Sequence, residues 1–148
     1  LQGLSRIQEK FPDFNLRSIP KAREKEELEK IPPVEKRLLK GTFKTRDITS
    51  EGEKLFEKEF FDHQYFGQLL NRQQEIVRDY LKISAPKIDR MIEASLENGA
   101  LGAKINGSGE GGCILSYTPG CADEVAEALK KLDTKPLIVQ VDDGVRID

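Results

Sequence analysis

The chain predicts an α+β fold, an antiparallel sheet in a split βαβ arrangement with helices packed on one face. Three observations point to it. Two short apolar segments flank a glycine-rich loop at 106–112, amphipathic helical patterns bracket that pair, and a third apolar segment follows at 137–141. At 148 residues the chain is long enough to bury the core of one domain with an extension.

In chain order, residues 21–31 are strong helix formers in which only Leu28 and Ile31 are bulky apolar residues, and Pro32-Pro33 ends them. With Pro12 and Pro20 before them, residues 1–33 read as a loosely packed, partly helical linker or the tail of an upstream region, and 34–148 as the domain. The opening Leu1-Gln2-Gly3 reads as part of a longer polypeptide. Ser50-Glu51-Gly52-Glu53 has capping-box spacing and predicts a helix from about 51 to 61, with Phe56, Phe60 and Phe61 in the core.

From Asp62 onward, Phe66, Leu69, Leu70, Gln73, Ile76, Val77, Tyr80 and Leu81 recur at helical spacing, predicting one long amphipathic helix. Ser84 as N-cap and Pro86 in the first turn open the next helix, with Ile88, Met91, Ile92 and Leu96 as its buried stripe. Asn98-Gly99 stops it. Ala100 to Ile105 alternates as a strand, Cys113 to Tyr117 is a second, and residues 106–112 join them as a hairpin. Pro119-Gly120 turns the chain into a helix marked by Val125, Ala128, Leu129 and Leu132. Leu137 to Val141 is a third strand, ended by Asp142-Asp143-Gly144. The order amounts to most of a ferredoxin-like unit.

A formal net charge of −2 provides no basic surplus for nucleic acid or an anionic membrane. No apolar run approaches the roughly 20 residues of a membrane span, no signal peptide is visible, and a cytoplasmic location is expected. Two cysteines without CxxC spacing and a single histidine argue against a zinc site. Cys113 reads as a buried, inert thiol and Cys121 as a helix start. His63, beside Asp62, reads as a surface residue capping a helix. Lys104, on the strand entering the loop, reads as a solvated edge lysine within reach of an anion.

The loop holds the strongest functional signal. Asn106, Gly107, Ser108, Gly109, Glu110, Gly111 and Gly112 include four glycines in six consecutive positions, more than a tight turn needs. Successive unobstructed N–H groups can form a nest for an anion such as phosphate. No Gly-Lys-Ser/Thr ends the loop as in a Walker A motif, and a strand follows where a dinucleotide fingerprint needs a helix. On physics alone an anion- or substrate-facing loop and a flexible hairpin tip stand level. A Glu110 side chain turned inward would repel the anion.

The run Gly99-Ala-Leu-Gly-Ala-Lys-Ile-Asn-Gly-Ser-Gly-Glu-Gly-Gly-Cys113 resembles the third motif of the GHMP kinases, the superfamily of galactokinase, homoserine kinase, mevalonate kinase and phosphomevalonate kinase. Phe66-Gly67-Gln68-Leu69-Leu70-Asn71, then Arg78-Asp79-Tyr80, Ser84 and Lys87-Ile88-Asp89, is similar to a galactokinase segment. The ending Val141-Asp142-Asp143-Gly144-Val145-Arg146 resembles galactokinase endings. The resemblance covers about 62–148 well and 34–61 weakly. It departs at Arg72-Gln73-Gln74, where galactokinases carry a Ser-His pair, and at Glu110, where they carry Phe or Gly. The family's substrate motif and P-x-x-x-G-L-S-S-S phosphate loop are absent.

The resemblance implies the C-terminal domain of an ATP-dependent small-molecule kinase, galactokinase-like and acting on a sugar hydroxyl. ATP and Mg²⁺ would be bound mainly by an N-terminal GHMP domain of the same polypeptide. No catalytic residue and no metal ligand is expected in this chain, and the loop at 106–112 would wall the cleft. A non-catalytic ligand-binding domain and a heptose, mevalonate or homoserine kinase branch are the alternatives.

Overall fold

The computed structural model describes residues 15, 19, 24, 25, 28, 29, 31–107 and 112–141. Glu24, Lys25, Leu28 and Glu29 are helical, in keeping with the helix-forming run there. Helix α1 spans Pro33–Phe56, with Pro33 at its first position and Glu35 in its first turn. This corrects the helix expected at 51–61: Ser50 lies inside α1 and caps nothing. Capping-box spacing marks a start only where the preceding residues leave the helix, and residues 44–49 continue it. The helix ends at Phe56 and the chain turns through 57–60, so Phe56 and Phe60 stand 66% and 81% exposed rather than in the core. Leu55 takes the buried position.

Helix α2, His63–Glu75, is capped by Asp62, whose carboxylate accepts the Tyr65 N–H at 2.9 Å. The helix does not run regularly to Leu81 as periodicity predicts. It widens into a π-helical turn, Ile76–Leu81, that ends at Lys82 in the left-handed region. The turn places Ile76 in the cluster with Ile48, Leu55 and Leu69, and Val77 in the cluster beneath the strands. It thereby serves two cores at once.

Helix α3, Pro86–Glu97, is preceded by Ala85 at the cap position, not Ser84. Ser95 is fully buried in its inner stripe, whereas Leu96, expected there, is 38% exposed. Strand β1, Gly102–Asn106, pairs antiparallel with β2, Cys113–Tyr117, in the register Ala103↔Ser116 and Ile105↔Ile114. Helix α4, Ala122–Lys130, follows.

The architecture is α+β, and the pleat explains its one-sided packing. Ala103, Ile105, Ile114 and Ser116 share the face toward α3 and α4, where Val77, Ile88, Met91, Ile92, Val125 and Leu129 form the main core. Lys104, Cys113 and Leu115 belong to the opposite face. Cys113 is therefore exposed, against the expectation of a buried thiol. A separate cluster joins Leu28 to Leu39 and Phe43 of α1, with Ile19 and Ile31 packed on it.

The third strand expected at 137–141 is not formed: these residues carry no strand pairing, and Leu137, Val139 and Val141 are 85%, 74% and 102% exposed. Among the described residues the sheet has two strands, β1 beside β2. Alternation of apolar side chains suits a segment to pairing, but a strand exists only where a neighbouring edge accepts its hydrogen bonds. The terminal Asp142-Asp143-Gly144 turn lies outside the described residues.

Candidate functional site

The candidate site is the tip of the β1–β2 hairpin, and its position is set by how β1 is anchored. Helix α2 lies against β1 with no side chains between the two backbones at Gly67 and Gly102. A Cβ on Gly67 would come within 2.6 Å of the Leu101 carbonyl carbon, and one on Gly102 within 2.7 Å of the Gly67 Cα. Both glycines are there because backbone must touch backbone.

Contact that close lets polar side chains of α2 reach the outer edge of β1. The Asn71 amide donates to the Leu101 carbonyl at 3.1 Å and accepts the Ala103 N–H at 3.0 Å. The Gln74 carbonyl oxygen accepts the Ile105 N–H at 2.9 Å. These two side chains satisfy the edge as a neighbouring strand would. Gln74 is itself buried; its amide donates to the Ser84 hydroxyl at 3.1 Å, which donates onward to the Asp89 carboxylate at 2.6 Å. Ser84 thus ties α2 to the first turn of α3 instead of capping it. On the opposite strand, the Ser116 hydroxyl donates to Ser95 at 2.9 Å, and Ser95 donates to the Met91 carbonyl at 2.8 Å.

Asn106, Gly107 and Gly112 are exposed, and φ is +101° at Gly107 and +111° at Gly112, where side-chain-bearing residues are disfavoured. A Cβ at Gly107 would meet no described atom within 4 Å, so among the described residues it is the backbone conformation that favours glycine there. Ser108, Gly109, Glu110 and Gly111 lie outside the described residues, and with them the direction of the Glu110 side chain. Lys104 is half-buried; its ammonium donates to the Ile105 carbonyl at 2.6 Å, and burial lowers its pKa. Two positive-φ glycines and an ammonium on the strand leading into the loop are what the described residues bring to the tip.

The other candidate residues do not converge on the tip. His63 is the first helical residue of α2, not its cap; its Nδ1 pairs with the Tyr117 hydroxyl and its ring stacks on Tyr117. Phe61 and Phe66 meet that pair edge-on. Tyr117 ends β2 while Cys113 begins it, about 13 Å apart for a strand of this length, so no Cys–His pair forms. Among the described residues no group of three or more His, Cys, Asp or Glu side chains could hold a metal ion. Nor is any described helix long and apolar enough to cross a membrane. Sequence reading missed Gln74 as a structural residue, although a glutamine four positions after Leu70 and three before Val77 falls on the buried stripe.

The family model described as GHMP kinases C terminal matches residues 53–134, and the chain belongs to that family. Among its relatives, the mevalonate kinase of Pyrococcus furiosus is 30% identical over 141 residues, 93% of this chain and 40% of that protein. The mevalonate kinase of Pyrococcus abyssi is 36% identical over 83 residues, covering 55% of this chain and 24% of its own length. The galactokinase of Dictyostelium discoideum is 34% identical over 71 residues, 48% of this chain and 14% of that protein. The fold matches the Lactococcus lactis galactokinase solved with galactose, at a TM-score of 0.73 and 20% identity, over 91% of this chain and 36% of that one. The chain therefore spans less than half the length of each of these relatives.

Proposed function

We propose that this chain is the C-terminal part of an ATP-dependent kinase that transfers the γ-phosphoryl group to the hydroxyl of a small molecule, with residues 34–148 forming the domain. The observation that carries the reading is the hairpin tip, bounded by Gly107 and Gly112, both exposed and in positive-φ conformations. In phosphoryl transfer the protein supplies positioning and charge stabilisation more than covalent chemistry. Asn106 to Gly112 would approach the transferred phosphate as one wall of the cleft. Mg²⁺ would supply charge neutralisation to the phosphates, held by groups outside the described residues of this chain. The N-terminal GHMP domain of the same polypeptide would supply the rest of the ATP site and the groups that act on the acceptor.

The acceptor we infer is a sugar, on the galactokinase-like segments at 66–89 and 141–146. A mevalonate-type acceptor is the second reading, favoured by the alignment with the Pyrococcus furiosus mevalonate kinase along 93% of this chain. The test measures ATP consumption by the full polypeptide with Mg²⁺ and, in parallel, monosaccharides and mevalonate. Gly109→Val is expected to lower kcat/KM at least 100-fold on the preferred acceptor while leaving the circular dichroism spectrum and melting midpoint unchanged. Wild-type turnover in that variant overturns the role of the loop, and absence of turnover with every acceptor overturns the kinase reading in favour of a binding module. The 148 residues alone are expected to phosphorylate nothing.

A further inference from the structure

The two amides that seal β1 are held in different ways. Asn71 uses both ends of its amide on the strand, donating to Leu101 and accepting from Ala103, so β1 itself fixes which way it faces. Gln74 meets the strand through one bond, its carbonyl oxygen accepting the Ile105 N–H at 2.9 Å. Ile105 directly precedes Asn106, the first residue of the glycine loop. An amide side chain has a donor end and an acceptor end of nearly the same shape, and its partners decide between them. Turned over, Gln74 would set its NH₂ against the Ile105 N–H, donor against donor.

The decision is made two side chains away. The Gln74 NH₂ donates to the Ser84 hydroxyl at 3.1 Å, and that hydroxyl donates to the Asp89 carboxylate at 2.6 Å. A hydroxyl can give or take a hydrogen bond, but a carboxylate only takes. With its one proton committed to Asp89 in a short, charge-assisted bond, Ser84 has lone pairs alone left for Gln74. Gln74 must then offer its NH₂ to Ser84 and its oxygen to Ile105. Asp89 is itself fixed in the first turn of α3, its N–H bonded to the Ala85 carbonyl at 3.0 Å. Gln74 is 4% exposed, so little water competes for either end of its amide.

We propose that Asp89 is a positioning residue for the glycine loop: through Ser84 and Gln74, its carboxylate orients the amide that holds the backbone next to Asn106. Its effect on turnover rests on the kinase reading, whereas its effect on the Ile105 amide does not. A carboxylate in the first turn also favours α3 through the helix dipole, and that role needs its charge. The relay needs an acceptor, which the carbonyl of an asparagine supplies as well.

The test follows the full polypeptide by hydrogen exchange and by turnover on its preferred acceptor. Asp89→Ala frees the Ser84 proton for Gln74 and is expected to speed exchange of the Ile105 amide about tenfold, with Ala103 unchanged. The same variant should lower kcat about tenfold while leaving the acceptor KM in place, because the misplaced group is the loop. Asp89→Asn should stay within about twofold of wild type in both measurements. Ser84→Ala, which leaves α3 its charge, should match Asp89→Ala, and the double variant should be no worse than either. Ser84→Ala also carries the test should Asp89→Ala unfold α3. Equal damage from asparagine and alanine at position 89 would assign Asp89 to the helix dipole and overturn the proposal. So would an Ile105 amide that stays protected in both alanine variants, or one that exchanges faster with kcat unchanged. A wild-type polypeptide that turns over no acceptor fails the kinase reading, and the Ile105 amide then decides alone whether the relay orients Gln74.

Discussion

The two edges of the hairpin are finished in opposite ways. The outer edge of β1 is closed by a helix, through the Gly67·Gly102 backbone contact and the side chains of Asn71 and Gln74. Among the described residues the outer edge of β2 has no strand on it and faces a cavity floored by Ile88, Met91, Val125 and Leu129. The difference shows what sealing a strand with a helix requires: glycines that admit the helix backbone, then amide side chains spaced to meet alternate rungs. Beside β2 no such glycine and amide set is in place among the described residues.

The largest effect is expected where the seal is tightest. Gly67→Ala sets a methyl group on the Leu101 carbonyl, a backbone obstacle that no side-chain rotation relieves, so α2 must lift from β1. Overpacking of this kind should cost about 3 kcal/mol or more and lower the melting midpoint by about 10 °C. Val139→Ser, in the exposed segment across the cavity from the open edge of β2, should change the stability of the same 148-residue chain by no more than about 0.5 kcal/mol, as at an ordinary surface position. Thermal denaturation of both variants decides the comparison, and equal losses would mean that the edges do not differ.

A residue-resolved version separates the two amides of the seal. Gln74→Leu keeps the apolar contacts of the stripe but strips the Ile105 N–H of its acceptor and the Ser84 hydroxyl of its donor. Leaving such groups buried and unpaired should cost about 2 kcal/mol. In native-state hydrogen exchange the Ile105 amide should lose more protection than Ala103, whose partner Asn71 is intact. Equal losses at both amides would show the edge opening as a unit.

The same contrast sorts what was legible in the sequence. The hairpin, helix α3 and the turn at Pro119-Gly120 follow from local chemistry, because alternation, proline and glycine act where they stand. The family resemblance drew attention to Phe66-Gly67-Gln68-Leu69-Leu70-Asn71, yet the purpose of Gly67 and Asn71 depends on a strand more than thirty residues away. Gln74 looked like a departure from a galactokinase pattern and is a strand surrogate. Residues 137–141 failed for the complementary reason: their alternation was read correctly, but no edge inside the described chain receives them. Ser50 and the exposed Phe56 and Phe60 show the same limit on a smaller scale, since a capping pattern and an aromatic spacing cannot report where a helix truly starts and ends. Of the candidate site, the positive-φ glycines at 107 and 112 could be read from composition. The face of β2 on which Cys113 lies could not, because it depends on register.

The smallest effect lies one layer behind the seal, where α1 holds α2 in place. Glu51 accepts two hydrogen bonds from the Arg72 guanidinium, at 2.6 and 3.0 Å, and one from the Tyr65 hydroxyl at 2.6 Å. The Arg72 hydrogen bonds first, and then that from Tyr65, hold the Glu51 carboxyl down to about 2. A carboxyl depressed in the folded state stabilises above its unfolded pKa of about 4.3, and that contribution fades as pH falls toward the folded value. Because the Glu51 side chain remains 34% exposed and that of Arg72 44%, the pair is screened and should contribute no more than about 1 kcal/mol near neutrality. Urea denaturation of wild type and Glu51→Gln should therefore differ most at pH 6, with the gap narrowed by roughly half at pH 3 and closing only below about pH 2. A gap that does not narrow on acidification would show that α1 is not tied to α2 through this carboxylate, and that the glycine contact with β1 positions the helix unaided.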